Sequence, residues 1–221
     1  MIRFENLSYS YPNKTGGLRN INLTIEKGSF VCIYAPTAEF KTTLLNLIYG
    51  EVLPSSGKLY VLDYTFPEDR KKVSQLRKNI GYAFHPLSFF DELTVRKNLL
   101  VNLLIKQKEK KLKHIETIVD ETIQTFTKLN PLELVKNLSY SEKQVLNIAR
   151  ALTGDPLILL LDDPFKHLDK DEIDKWMKLF IEKSLSGITI VATVSNPALP
   201  QNYGIKTFFM KKGRLLEENE K

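Results

Sequence analysis

Lys41, Thr42 and Thr43 open an apolar helical pattern directly after the apolar run at residues 30–34 and a short polar bend. A strand, a loop and a helix in that order can cradle a phosphate. Backbone N–H groups and the positive helix end face the anion, a lysine reaches its oxygens, and a hydroxyl holds a magnesium ion. Lys41 and Thr42 stand where that device needs them. The loop departs from it, because the spacing calls for Gly, four residues, Gly and then Lys, and the two glycine positions are Ala35 and Phe40. Glycine serves there by adopting positive φ and letting the backbone approach the phosphate. A side chain forced to positive φ costs roughly 1 to 2 kcal/mol, close to tenfold in affinity. Glu39 adds a negative charge where a polyphosphate would lie. Such a loop either holds its ligand weakly, by the helix end and Lys41, or has stopped holding it.

The second chemical feature is Asp162-Asp163-Pro164, which ends the continuous apolar run at residues 156–161. That run reads as a strand buried on both faces of a parallel sheet. Ligands in open α/β sheets sit off the carboxyl ends of the strands, and paired acids there must be solvated or ligated. Asp162 is placed to hold magnesium, directly or through water.

The remaining elements must position these groups. Residues 2–9 and 18–25 alternate apolar and polar side chains and read as half-buried strands, with Gly16-Gly17 and Lys27-Gly28 as turns. Tyr11, beside Pro12, either stacks on a purine ring or is a loop tyrosine without a partner. Residues 58–62 and 80–84 read as strands and 67–78 as a charged helix. From Thr94 the pattern is helical to about residue 130, with Ile115, Ile118, Val119, Thr122, Ile123 and Phe126 on one face. Lys106, Lys108, Lys110, Lys111 and Lys113 form a basic run, which we read as a solvated helix face rather than a lipid-headgroup or partner contact. Ser139 with Glu142, or Ser141 with Gln144, has capping-box spacing. Residues 169–183 read as a helix with Ile173, Trp176, Met177 and Phe180 inward, residues 188–194 as a last buried strand, and 206–210 with 214–217 as a closing hairpin before a polar tail.

The chain has 221 residues, 43% of them hydrophobic, enough for one large α/β unit with a smaller insert. Its single cysteine, Cys32, allows no internal disulfide and reads as a core residue. No apolar run is long enough to cross a bilayer and the opening residues do not read as a signal peptide, so a cytoplasmic location is expected. The net charge of +6 suits an anionic neighbour. No nucleic-acid recognition motif accompanies it, so nucleic acid is not the expected partner. The three histidines, His85, His114 and His167, show no metal-ligand spacing, which argues against zinc.

Taken in order, the stretches are an aromatic loop, a phosphate loop, a helical insert, a serine-opened helix, an acid-ended strand and a last strand. Phe84 with Leu93-Thr94-Val95 and Asn98 belongs to one motif. Leu138-Ser139 with Gln144 and residues 148–152 belongs to a second, and residues 161–164 with Leu168-Asp169 to a third. The chain thereby resembles the nucleotide-binding subunit of an ABC transporter over essentially its whole length, most nearly the class that includes the cell-division FtsE and lipoprotein-release subunits. The resemblance implies an α/β fold of the P-loop NTPase type. A mostly parallel core sheet and an N-terminal antiparallel β-subdomain would occupy residues 1–84 and about 155–221, and a helical subdomain about 85–154.

It also implies roles. Tyr11 would stack on adenine. Ala38, Phe40, Lys41, Thr42 and Thr43 would line the phosphates of ATP, and Thr42 and Asp162 would hold Mg2+. Ser139, Tyr140, Ser141 and Asp169 would lie at the seam of a homo- or heterodimer that sandwiches two ATP molecules. An integral membrane subunit would dock on the helical subdomain, which puts the chain on the inner face of the membrane.

The departures from the family pattern cluster at the reacting end. Ala35, Ala38 and Phe40 stand for glycines, His85 for a glutamine, Tyr140 and Ser141 for the two signature glycines, Asp163 for the catalytic glutamate and Val194 for the switch histidine. A positioned general base contributes roughly 10² to 10⁴ in rate. Asp163 is one methylene short of reaching the water a glutamate would activate, and Val194 neither donates nor accepts a proton. Tyr140 stands where a partner's γ-phosphate should meet bare backbone N–H groups. His85 retains the capacity to bond a water or a magnesium ligand. The expectation is a cassette impaired in hydrolysis with weakened nucleotide binding; the alternative is an active ATPase that tolerates these changes.

Overall fold

The computed structural model describes residues 1–12, 16–36, 40–107 and 111–216. Ala38, Glu39, Lys108, Lys110 and the polar tail, all singled out in the sequence, lie outside the described residues.

The alternating N-terminal segments form β1 (Ile2–Ser10) and β2 (Gly17–Ile25), which pair antiparallel from Ile2↔Ile25 to Ser10↔Gly17. Gly17 is therefore a strand residue, not part of a turn as its sequence setting suggests. A Cβ there would lie 1.9 Å from the Tyr9 carbonyl oxygen, so only glycine permits the close approach. β4 (Ser56–Val61) and β5 (Tyr64–Phe66) complete a four-stranded antiparallel sheet in the order β2-β1-β4-β5.

The mostly apolar runs, with the closing hairpin, build a second sheet. It contains β3 (Phe30–Tyr34), β6 (Ile80–Ala83), β7 (Ile158–Leu161), β8 (Thr189–Val194), β9 (Lys206–Lys211) and β10 (Arg214–Leu216), in the order β10-β9-β3-β8-β7-β6. Pairing is parallel from β9 through to β6, and only the β9–β10 hairpin is antiparallel. The register sets Tyr34 beside Val194, Ala192 beside Leu161 and Leu161 beside Ala83, so four parallel strands finish along one edge.

Helices cover both faces. α1 (Lys41–Ile48) buries Leu44, Leu45, Leu47 and Ile48 between the two sheets. On the opposite face α6 (Lys170–Leu185) inserts Trp176, Met177 and Phe180 at 1% exposure or less, as its spacing predicts. Asp169 caps α6 by accepting from the Glu172 amide at 2.8 Å. Two short helices, α2 (Val73–Lys78) and α7 (Ala198–Gln201), complete the envelope with those of the insert described next.

The segment at residues 67–78 is helical only in its second half. Asp69 turns its carboxylate back onto the Thr65 amide at 2.8 Å, and a 3-10 turn at Arg70–Lys72 precedes α2. The long helical pattern after Thr94 likewise divides, into α3 (Val95–Lys106) and α4 (Leu112–Phe126). Gln107 leaves helical geometry at φ −123 and ψ 51.

Lys106 departs from the solvated face expected for the basic run. Its ammonium donates to the Ile80 carbonyl at 2.7 Å, and burial, with the nearby Arg150 charge, lowers its pKa to about 8. α3 and α4 share a separate apolar core of Val95, Leu99, Leu103, Ile115, Val119 and Ile123. The helix α5 (Tyr140–Leu152) gives Leu146 to that core and Ile148, Ala151 and Leu152 to the core under α6. One helix thus ties the helical block to the sheet.

Candidate functional site

The carboxyl edge of the parallel strands gathers the chemically capable residues. α1 begins on Phe40, whose backbone is left-handed at φ 58 and whose side chain provides no cap. Of the two positions where the motif asks for glycine, Phe40 takes positive φ, and Ala35 is buried without doing so. The strain expected at Phe40 is therefore present, roughly 1 to 2 kcal/mol. Its ring stacks on Tyr11 with centroids 6.3 Å apart and planes 30° apart, while Tyr9 meets Tyr11 edge-on at 5.1 Å.

Three successive side chains at the start of α1 are each held by a group from elsewhere. Lys41 is 3% exposed, and its ammonium contacts both carboxylate oxygens of Asp163, at 3.0 and 3.3 Å. It also donates to Ser195 Oγ at 2.8 Å and to the Val194 carbonyl at 3.3 Å. Thr42 Oγ1 donates to Asp162 Oδ2 at 2.6 Å. The Thr43 hydroxyl is hydrogen-bonded to that of Tyr11.

Around this line the acids are themselves constrained. Asp162 is 2% exposed, and its other oxygen accepts from Thr193 Oγ1 at 2.7 Å. Burial raises its pKa; the hydrogen bonds from Thr42 and Thr193 and the field of His85 oppose that rise, and the Asp163 charge adds to it. Asp163 has a left-handed backbone at φ 44, and its amide donates to Thr193 Oγ1 at 2.9 Å. Its carboxylate accepts from Ser195 Oγ at 2.9 Å as well as from Lys41.

The oxygen donors of Thr42 and Asp162 adjoin, and hard oxygen ligands of that kind suit a magnesium ion that also leans on phosphate oxygens. His85 follows Phe84, whose ring stacks on Tyr82 with centroids 3.9 Å apart, and it is half-buried near enough to Asp162 to affect its ionisation.

Ser139, Tyr140, Ser141 and Asp169 form a second group where α5 and α6 begin. Ser139 and Glu142 make a full capping box: the Glu142 amide donates to Ser139 Oγ at 3.2 Å, and the Ser139 amide donates to Glu142 Oε2 at 2.8 Å. Of the two cap pairings that the spacing allows, this is the one formed. Tyr140 is 42% exposed and packs edge-on against His167, with centroids 4.4 Å apart. Ser141 donates to Glu172 at 3.2 Å. The groups are linked by α5, whose buried Gln144 donates to the Pro164 carbonyl at 2.9 Å and whose Asn147 donates to the Phe84 carbonyl at 2.9 Å.

Thr193 and Ser195 complete the first group and were not singled out in the sequence. Both flank Val194 at the end of a buried strand, and polar residues at that edge were the available signal.

A model of the ABC transporter family matches residues 18–166, two thirds of the chain. The glutamine transport ATP-binding protein GlnQ of Geobacillus stearothermophilus is 30% identical over 220 residues, which cover 99% of this chain and 90% of that protein. The phosphonates import ATP-binding protein PhnC of Lactococcus lactis subsp. cremoris (strain SK11) is 29% identical over 98% of this chain and 92% of its own. The dimeric structure of a post-hydrolysis state of the ATP-binding cassette MJ0796, bound to ADP and Pi, superposes with a TM-score of 0.87 at 25% identity, over 97% of this chain and 96% of that one. The chain belongs to the ABC transporter family, as one of its ATP-binding subunits.

Proposed function

We propose that this subunit is a hydrolysis-impaired cassette, one that binds nucleotide weakly and serves a membrane complex as a folded coupling partner. One observation carries the reading: the Lys41 ammonium, the group expected to meet phosphate oxygens, is held by the Asp163 carboxylate at 3.0 Å. The same carboxylate occupies the position of the catalytic base, so one contact disables both binding and proton abstraction.

A bound nucleotide would have Tyr11 beside its base and Lys41 with the start of α1 at its phosphates, and Thr42 and Asp162 would hold a magnesium ion that supplies charge screening there. His85 and Asp163 are the remaining polar groups near the reacting end. Ser139, Tyr140, Ser141 and Asp169 face a second cassette, of the same or another chain, and Tyr140 takes up space that close approach requires. Residues 85–154 form the helical subdomain, and an integral membrane subunit docks there. This places the chain at the inner membrane face. Among the described residues no helix is long and apolar enough to cross a membrane.

Placement with the cell-division and lipoprotein-release class rests on motif order alone. GlnQ carries the name of a transport protein and PhnC that of an import protein, and their likeness favours a transport complex. Steady-state phosphate release from magnesium-ATP, with and without the membrane partner, tests the proposal. The expected rate equals that of Lys41→Ala; a rate that Lys41→Ala abolishes overturns it.

A second reading, an ordinary ATP-hydrolysing subunit, draws on Lys41, Thr42 and Asp162 lying side by side as a working site would need. Equilibrium dialysis showing no magnesium-ATP binding at millimolar concentration removes it.

A further inference from the structure

We propose that Asp163 is a built-in stand-in for phosphate, and that a polyphosphate gains Lys41 only by displacing the Asp163 carboxylate. The inference rests on reading this edge as a nucleotide site and adds how that site is gated.

A lysine ammonium has three N–H donors and no acceptor. At Lys41 they face the Asp163 carboxylate, Ser195 Oγ and the Val194 carbonyl, all within 3.3 Å, so no donor is spare for an incoming oxygen. A phosphate must replace one of the three. The Val194 carbonyl belongs to a buried strand paired on both sides and cannot withdraw. Ser195 is neutral and tolerates an anion beside it. Asp163 carries the same sign of charge as the ligand, and two anions on one buried ammonium repel at short range. It is the group that leaves.

The surroundings give it somewhere to go. A hollow of about 370 Å3 adjoins the pair, with Asp163, Lys166, Ser195 and Asn196 among its polar lining and Phe165 and Leu199 among its apolar lining. The Asp163 side chain is 20% exposed, so its carboxylate already borders solvent, whereas Lys41 is buried. Rotation about the side chain carries the carboxylate into the hollow while the Asp163 amide stays on Thr193 Oγ1.

Calorimetric titration with inorganic pyrophosphate and with magnesium-ATP tests this, on the unaltered chain, Asp163→Asn and Ser195→Ala, each checked for folding by its melting curve. Asp163→Asn keeps an oxygen for Lys41 and removes the charge; it should bind both ligands at least about tenfold more tightly. Ser195→Ala leaves Lys41 and Asp163 each one partner short without discharging the carboxylate, and should tighten binding by less, about two- to fivefold. Equal or weaker binding by Asp163→Asn overturns the proposal. If that variant does not fold, the unaltered chain decides: a crystal structure with magnesium-ADP should show Asp163 off Lys41. A phosphate on Lys41 with Asp163 still within hydrogen-bond distance overturns it. Turnover by the unaltered chain refutes impaired hydrolysis and leaves the displacement intact, so the two ideas fail separately.

Discussion

Two helices of this molecule begin at motifs and are finished in opposite ways. α5 starts on Ser139 and closes its own end: Ser139 and Glu142 satisfy each other's backbone donors. α1 starts on Phe40, in left-handed geometry and with no side-chain cap. A helix start leaves its first N–H groups without intrahelical partners and carries partial positive charge. The sequence of α5 fills that need from within, and among the described residues no side chain caps the start of α1. The side chains beside α1 behave the other way round, since Lys41, Thr42 and Thr43 are all engaged by Asp163, Asp162 and Tyr11. Among the described residues α1 thus starts without a side-chain cap, while its first three side chains are engaged. Under the proposed function, that combination is what a binding end held closed, rather than dismantled, should show.

The largest expected effect tests the engaged side chains. Lys41→Met removes the partner of a carboxylate that is only 20% exposed. Losing one member of a fully buried pair costs about 3 to 5 kcal/mol. Because Asp163 can rehydrate, about 2 kcal/mol is expected here, a fall in Tm of roughly 4 to 8 °C for a chain of this size. An unchanged Tm would mean that the pair is absent in solution.

The next tests the closed cap. Ser139→Ala should cost about 1 kcal/mol, lowering Tm by roughly 2 to 4 °C and leaving the nucleotide affinity of the single subunit unchanged. Phe40→Gly should behave differently, because release of left-handed strain offsets the lost stacking on Tyr11 to within about 1 kcal/mol. Comparable melting losses in the two variants would erase the contrast between the helix starts.

Tyr11→Phe frees the Thr43 hydroxyl and keeps the ring. About 0.5 to 1 kcal/mol of stability should be lost, as read from urea midpoints at constant slope.

The smallest effect depends on pH. The Ser139 hydroxyl and then its amide hold the Glu142 pKa below its ordinary 4.5. An acid with a depressed folded pKa stabilises above its unfolded value, and that stabilisation disappears as pH falls through the folded value. The Tm difference between the unaltered chain and Glu142→Gln should be largest at neutral pH and shrink below 4.5. A constant difference would show that the carboxylate takes no part in the cap.

Much of this contrast can be read from sequence, and the unread part has a physical cause. Apolar runs located β3 and β7, and β8 with only threonines interrupting it, because a strand buried on both faces has few polar positions to blur it. Spacing also suggested the Ser139 cap, since capping is local to four residues. The Lys41–Asp163 contact joins residues 122 apart in the chain. It exists because β8 is seated between β3 and β7, so that Ser195 and Asp163 finish beside the first residue of α1. Strand order is a tertiary property that periodicity does not encode. Lys106 was misread for a related reason: a lysine in a basic run looks solvated until the Ile80 carbonyl that receives it is in place.

The central claim is that the nucleotide end is occupied by the chain's own side chains. Calorimetric titration of the unaltered protein with magnesium-ATP tests it most directly. Weak binding that does not saturate below about 100 µM is expected, and a Kd near or below about 1 µM would mean that Asp163 does not hold Lys41 against the ligand.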